Sequence, residues 1–205
     1  QMNGINYGTG VRSFTQVNTE VCSLLYSNVV KELSCDNNTT VFDAYSGAGL
    51  MTALIANSAK KVVGIEIIPE AVKIADKLMK DNGLNDKVKN YCGKCEDLLP
   101  MLIEKEREIS ANISVVLDPP RKGCENSVLE AIIKSGVDKI VYVSCLPQSL
   151  ARDVGILVGS LVSRNGEIIR EKEFTPRYIV EKVIPFEMFP NTKHIETLCV
   201  LKKNS

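Results

Sequence analysis

The chain has 205 residues, 44% of them hydrophobic, which is enough for one well-buried domain and short for two. Lys plus Arg and Asp plus Glu balance at 25 each, so no overall positive field draws in a polyanion and any nucleic-acid contact must be local. No apolar stretch approaches the roughly 20 residues of a membrane span and no basic-then-apolar leader opens the sequence, so a soluble, cytoplasmic protein is expected.

Residues 1–13, with Gly4, Gly8 and Gly10, read as a lead-in or as the remnant of a missing N-terminal region, and 14–205 as a single domain. A helical pattern over Asn18–Leu33 comes first. Strands are then predicted over Thr40–Asp43, Lys61–Glu66, Val88–Tyr91, Ile113–Asp118 and Lys139–Ser144. Helical patterns separate them at Leu50–Asn57, Pro69–Asn82, Glu96–Lys105 and Ser127–Ser135. Strand–helix alternation of this kind builds a parallel sheet covered on both faces. Pro69 suits a first helical turn and Gly83 a left-handed cap. After Gly166 the pattern changes: Ile168–Phe174 and Tyr178–Ile184 read as strands broken by Thr175-Pro176-Arg177, and Glu196–Lys202 as a last strand. Antiparallel pairing is expected at this end. There is no internal repeat, no low-complexity tract and no domain boundary within the chain.

The seven cysteines are an odd number and lie scattered, which argues against a secreted disulfide framework. Cys92-Gly93-Lys94-Cys95 is a lone CxxC without a second pair or nearby histidine to complete a tetrahedral site, so no metal is expected.

Four segments carry candidate chemistry. Asp43-Ala44-Tyr45-Ser46-Gly47-Ala48-Gly49 follows the first strand and opens a helix; its glycines allow close backbone approach to a ligand, although the third glycine of a dinucleotide fingerprint is missing. Glu66 ends the second strand, roughly 20 residues further on, where a carboxylate can accept both ribose hydroxyls of an adenosine. Asp118-Pro119-Pro120-Arg121 ends the fourth, its prolines fixing the direction of the carboxylate. Ser144-Cys145-Leu146-Pro147 ends the fifth, and a thiolate there is a strong nucleophile. Each has a structural alternative: a glycine turn, two strand-end acids and a buried small hydrophobe.

These segments occur in order with Phe14-Thr15-Gln16-Val17-Asn18, Leu150-Ala151-Arg152-Asp153, Met188-Phe189-Pro190 and His194-Ile195-Glu196. Together they resemble the catalytic domain of the RNA 5-methyluridine methyltransferases of the RlmD/TrmA type, over about Phe14 to Leu201. The resemblance implies a Rossmann-like methyltransferase fold, with a mostly parallel sheet, an antiparallel C-terminal edge and S-adenosylmethionine at the strand ends. It also implies that Gln16, Tyr45, Glu66 and Asp118 contact the cofactor, that Cys145 is the nucleophile and that Glu196 is the base. The implied partner is RNA, 23S ribosomal RNA ahead of transfer RNA, with the target uridine flipped or single-stranded. Two departures stand out. Leu146 replaces the Asn usual between Cys and Pro, and the N-terminal RNA-binding β-barrel usual in the family is not in these residues.

The chemistry explains the residue types. Uracil C5 is a poor nucleophile; addition of a thiolate to C6 turns C5 into an enolate carbon able to attack a methyl group in line. C5 then still carries its hydrogen, which a base must remove before the sulfur leaves. His194, the only histidine, reads as support for the site. Lys122, Arg121 and Arg152 read as phosphate contacts or as ordinary surface or ion-pair charges. Three rival readings stay open: an amino-group methyltransferase, which needs no thiol; a cofactor-binding module without its own activity; and a nicotinamide-dependent reductase.

Overall fold

The computed structural model describes residues 1–7, 18–164, 166–192 and 194–204. The helices are α1 (Thr19–Leu33), α2 (Leu50–Ala56), α3 (Pro69–Asp81), α4 (Cys95–Arg107), α5 (Asn126–Ser135) and α6 (Pro147–Val158). The strands are β1 (Thr39–Ala44), β2 (Lys61–Glu66), β3 (Val88–Cys92), β4 (Asn112–Leu117), β5 (Lys139–Ser144), β6 (Leu161–Arg164), β7 (Glu167–Arg170), β8 (Tyr178–Phe186) and β9 (Glu196–Lys203). Seven strands form one sheet in the order β3-β2-β1-β4-β5-β9-β8. The first five are parallel, and β9 runs antiparallel to both β5 and β8. The expected mostly parallel sheet with an antiparallel C-terminal edge is what the chain forms.

The central strands are buried along nearly their whole length because both faces of the sheet are covered. Alternate residues divide between two cores. Phe42, Ile65, Val115, Leu117, Ile140 and Tyr142 pack against α4, α5 and α6. Val41, Val62, Val116, Val141 and Leu198 pack against α1, α2 and α3. Met2 and Ile5, within the stretch read as a lead-in, are buried in this second core, and the Asn6 backbone pairs with the Asn82 side chain. Pro69 opens α3, and Gly83 takes a positive φ just past its end.

Three differences from the sequence reading have physical causes. No helix is predicted over α6, where Gly155 inside it and a buried Asp153 interrupt its apolar stripe. The strand predicted over Ile168–Phe174 stops at Arg170 and pairs with β6 in a separate two-stranded ribbon, turned at Gly166. β8 runs on through Pro185 to Phe186; it is the sheet edge, where a residue without an N–H is tolerated.

Gly49 caps α2 at φ 82°, and a Cβ there would stand 2.8 Å from the Ala75 Cβ on α3. Gly47 is also left-handed, but a Cβ on it would meet nothing. Gly49→Ala therefore combines backbone strain with overpacking and is expected to cost about 3 kcal/mol, against about 1 kcal/mol for Gly47→Ala. Urea denaturation of the two variants checks the difference.

Candidate functional site

Parallel strands end together, and the register shows where. Ala44 pairs with Ile65 on one side and Leu117 on the other, so Tyr45, Glu66 and Asp118 continue one rung at the carboxyl edge. β1 and β4 are also where the chain reverses its direction of travel across the sheet, which opens a crevice between their ends. β9 enters the same edge from the opposite direction. Ser144 pairs with Thr197, and one step further sets Cys145 across from Glu196.

Glu66 is buried and held by two backbone donors, Gly47 N–H on one oxygen and Ile68 N–H on the other, both at 2.9 Å. Each oxygen keeps acceptor capacity for a further donor. The carboxylate is thus tied to the glycine loop it faces, and open space lies beyond Gly47. The loop and the acid together fit an adenosine with two ribose hydroxyls. Asp43, fully enclosed beneath the loop, accepts from Thr52 Oγ1 at 2.5 Å. Burial pushes its pKa up to about 7, with the Glu66 charge adding to the rise.

Asp118 is half-buried, and among the described residues its carboxylate has no hydrogen-bond partner. Enclosure raises its pKa to about 7, helped by Glu196 and Asp43. Tyr45 adopts a left-handed φ of 66°, which turns its half-buried ring onto the core of α4 to α6, with its hydroxyl beside the Cys124 sulfur. Gln16 lies outside the described residues.

The Cys145 thiol is half-buried; burial raises its pKa, the Glu196 charge raises it further, and the neighbouring Arg121 guanidinium pulls it down. Glu196 is buried, and its pKa is raised by that burial and lowered by Arg121. Arg121 thus stands by both groups, whereas the sequence places it near the site as a phosphate contact or as a surface or ion-pair charge. Lys122 pairs instead with Glu125, and Arg152 with Asp153. His194 is exposed, its ring edge-on to Phe189. Leu146 is the N-cap of α6 and gives it no side-chain hydrogen bond. Asn18 and Thr19 share a cavity of about 460 Å³ with Met188, Phe189 and Pro190, which brings the start of α1 beside the segment after β8. Among the described residues no three His, Cys, Asp or Glu side chains cluster as metal ligands, and no helix is long and apolar enough to cross a membrane.

The acidic edge has a consequence for stability. An unfolded Asp titrates near ~3.9, so between roughly pH 4 and 7 the folded chain binds more protons at Asp43 and Asp118 than the unfolded one. Their contribution to stability falls as pH rises through that window and levels off above it. Asp118→Asn is expected to raise the thermal midpoint at pH 8 and leave it nearly unchanged at pH 4, which melting curves at the two pH values check.

Comparison with known proteins agrees with this layout. A protein of Clostridium acetobutylicum named an uncharacterized RNA methyltransferase is 42% identical over 192 residues, 94% of this chain and 37% of the relative. One of Bacillus cereus with the same description is 36% identical over 198 residues, 97% of this chain and 39% of the relative. The chain thus spans well under half the length of these curated relatives. Among solved structures, the tRNA (uracil-54, C5)-methyltransferase of Pyrococcus abyssi in complex with S-adenosyl-L-homocysteine superposes with a TM-score of 0.69 at 23% identity, covering 92% of this chain and 40% of that one. An rRNA methylase from Streptococcus thermophilus gives 0.60 at 14% identity, covering 90% and 96%. These likenesses give the fold, a Rossmann-like methyltransferase sheet. The model of the tRNA (uracil-5-)-methyltransferase family matches residues 2–204, and the chain belongs to that family.

Proposed function

We propose that this chain is the catalytic domain of an enzyme that transfers a methyl group from S-adenosylmethionine to C5 of a uridine in RNA. One observation carries the reading: a thiol and a carboxylate, Cys145 and Glu196, face each other across adjacent antiparallel strands at the edge that holds the glycine loop and Glu66. Family membership supplies the substrate class, and the resemblance in the sequence puts 23S ribosomal RNA ahead of transfer RNA.

Bound S-adenosylmethionine supplies an electrophilic methyl carbon. Gln16, Tyr45, Glu66 and Asp118 are the residues proposed to hold it, with Glu66 presenting its free acceptor sites to the ribose hydroxyls. Arg121 opposes the rise that burial and Glu196 impose on the Cys145 thiol and so favours its thiolate form. With the donor bound, the thiolate would add to C6 of a uracil flipped into the crevice, and C5 would take the methyl carbon while the electrons of the S–CH3 bond stay on the donor's sulfur, leaving S-adenosylhomocysteine. Glu196, its pKa lifted by burial, then accepts the C5 proton; the electrons of the C–H bond re-form the C5–C6 double bond and the Cys145 sulfur leaves.

Incubation with S-adenosylmethionine and RNA carrying 5-fluorouridine tests the scheme, because fluorine cannot leave as a proton and the sulfur adduct accumulates. A mass-shifted peptide containing Cys145 is expected. Cys145→Ala is expected to abolish methyl transfer while calorimetry still records S-adenosylhomocysteine binding. Glu196→Gln should slow turnover about 10²–10⁴-fold and accumulate methylated, protein-linked RNA. Undiminished methylation by Cys145→Ala would point to amino-group transfer instead. Binding without turnover on either a ribosomal or a transfer RNA transcript would identify a cofactor-binding module.

A further inference from the structure

Two consecutive charged residues of α6, Arg152 and Asp153, have no part in the chemistry above, yet Asp153 is completely buried. A buried carboxylate is tolerated only when its oxygens are satisfied. Asp153 Oδ2 accepts from Cys124 N–H at 2.8 Å and from Tyr142 O–H at 2.5 Å, and Oδ1 accepts from Arg152 Nε at 2.7 Å. Arg152 Nη2 reaches across to the carbonyls of Lys122 at 2.9 Å and Cys124 at 3.3 Å. Every one of these inter-element contacts grips the loop after β4 or the strand beside it.

That loop carries Arg121. Gly123 N–H donates to Pro120 O at 2.8 Å, closing a turn in which Arg121 and Lys122 are the central residues. Gly123 has φ 81°, and a Cβ on it would lie 2.5 Å from Asp153 Oδ2 and 2.6 Å from Arg152 Nη2. The turn sits so close on the ion pair that only glycine fits. Prolines stiffen the turn on its other side. α6 begins two residues after Cys145, so the same helix anchors the thiol segment at its start and the arginine turn one and a half turns later.

We propose that Arg152 and Asp153 are positioning residues that lock the Pro119–Cys124 turn onto the helix following Cys145 and thereby hold the Arg121 guanidinium beside the thiol. The inference deepens the assignment of Cys145 as nucleophile and rests on it. The guanidinium geometry suits this role, since Nε and Nη2 both meet the Asp153 carboxylate while Nη2 also reaches the loop carbonyls.

The test reads the thiol itself. The rate of iodoacetamide alkylation at Cys145, followed by peptide mass mapping in the 205-residue chain, gives an ionisation midpoint with pH. The charged groups facing the thiol are Arg121 from the loop after β4 and Glu196 from β9. Arg121→Ala should raise the midpoint by about half a unit or more. Asp153→Asn and Gly123→Ala should each raise it by a comparable amount, and neither should add to Arg121→Ala in the double variant. Simple loss of a nearby negative charge would instead lower the midpoint, so the sign separates positioning from direct electrostatics. Should Gly123→Ala not fold, Arg152→Lys, which keeps the charge and loses the fork, should show a smaller rise. The proposal is overturned if Asp153→Asn, folded, leaves the midpoint unchanged or lowers it, even when its melting temperature falls, or if Arg121→Ala does not move it. Retention of methyl transfer by Cys145→Ala with these shifts intact would remove the nucleophile and leave the clamp standing.

Discussion

The reversal of β9 between β5 and β8 is the constraint on which the site depends. In a wholly parallel sheet only the loops that follow strands reach the carboxyl edge, and each brings its residues from a separate turn. Because β9 runs the other way, its first residue enters that edge already in register with the end of β5. Cys145 and Glu196 are thereby opposed through backbone pairing rather than through flexible loops. A slip of one residue would turn Glu196 to the opposite face of the sheet. The register is secured along the strand by buried side chains, Leu198 in one core and Cys199 and Leu201 in the other.

Bringing strand ends together concentrates like charge. Asp43, Glu66, Asp118 and Glu196 all lie at or just below this edge, and three of them have raised pKa values. Burial of these acids, with like charge adding to it at Asp43 and Asp118, destabilises the fold near neutral pH, which is the usual sign of a site maintained for something other than stability. Two backbone donors satisfy Glu66 directly. Asp118, with no such donor among the described residues, is the group with most to gain from a bound cation or hydrogen-bond donor. Arg121 is the cation beside Cys145 and Glu196, and its placement decides how much of the acidic field reaches the thiol.

Period and punctuation made much of this legible in the sequence. Apolar runs separated by amphipathic stretches gave the parallel units, and the glycines after Asp43, the acid at Glu66 and the prolines after Asp118 marked strand ends correctly. The change of pattern beyond Gly166 announced the antiparallel edge. What escaped were interactions that no local pattern encodes. Asp153 lies in a stretch where no helix is predicted, and it is buried because the loop after β4 folds over it. Arg121 reads equally as a phosphate contact or as a surface or ion-pair charge, because its partners lie 24 and 75 residues further along the chain. The ribbon of β6 and β7 has all four β7 residues exposed, so its period carries no burial signal.

Leu146, where the family usually has Asn, can be assessed in the same terms. As the N-cap of α6 it supplies no acceptor, whereas Asn is among the best residues at such a position. The backbone around the thiol is nonetheless fixed from both sides by serine hydroxyls: Leu146 N–H donates to Ser144 Oγ at 3.1 Å, and Ser149 Oγ donates to Leu146 O at 3.0 Å. Pro147 at the start of the helix restricts the same turn further. The path of the chain through Cys145 therefore does not depend on the side chain at 146. In the proposed reaction the replacement leaves the geometry of thiol, arginine and glutamate intact and alters only the surface offered to the edge of the incoming base, where an amide donor and acceptor give way to an apolar wall.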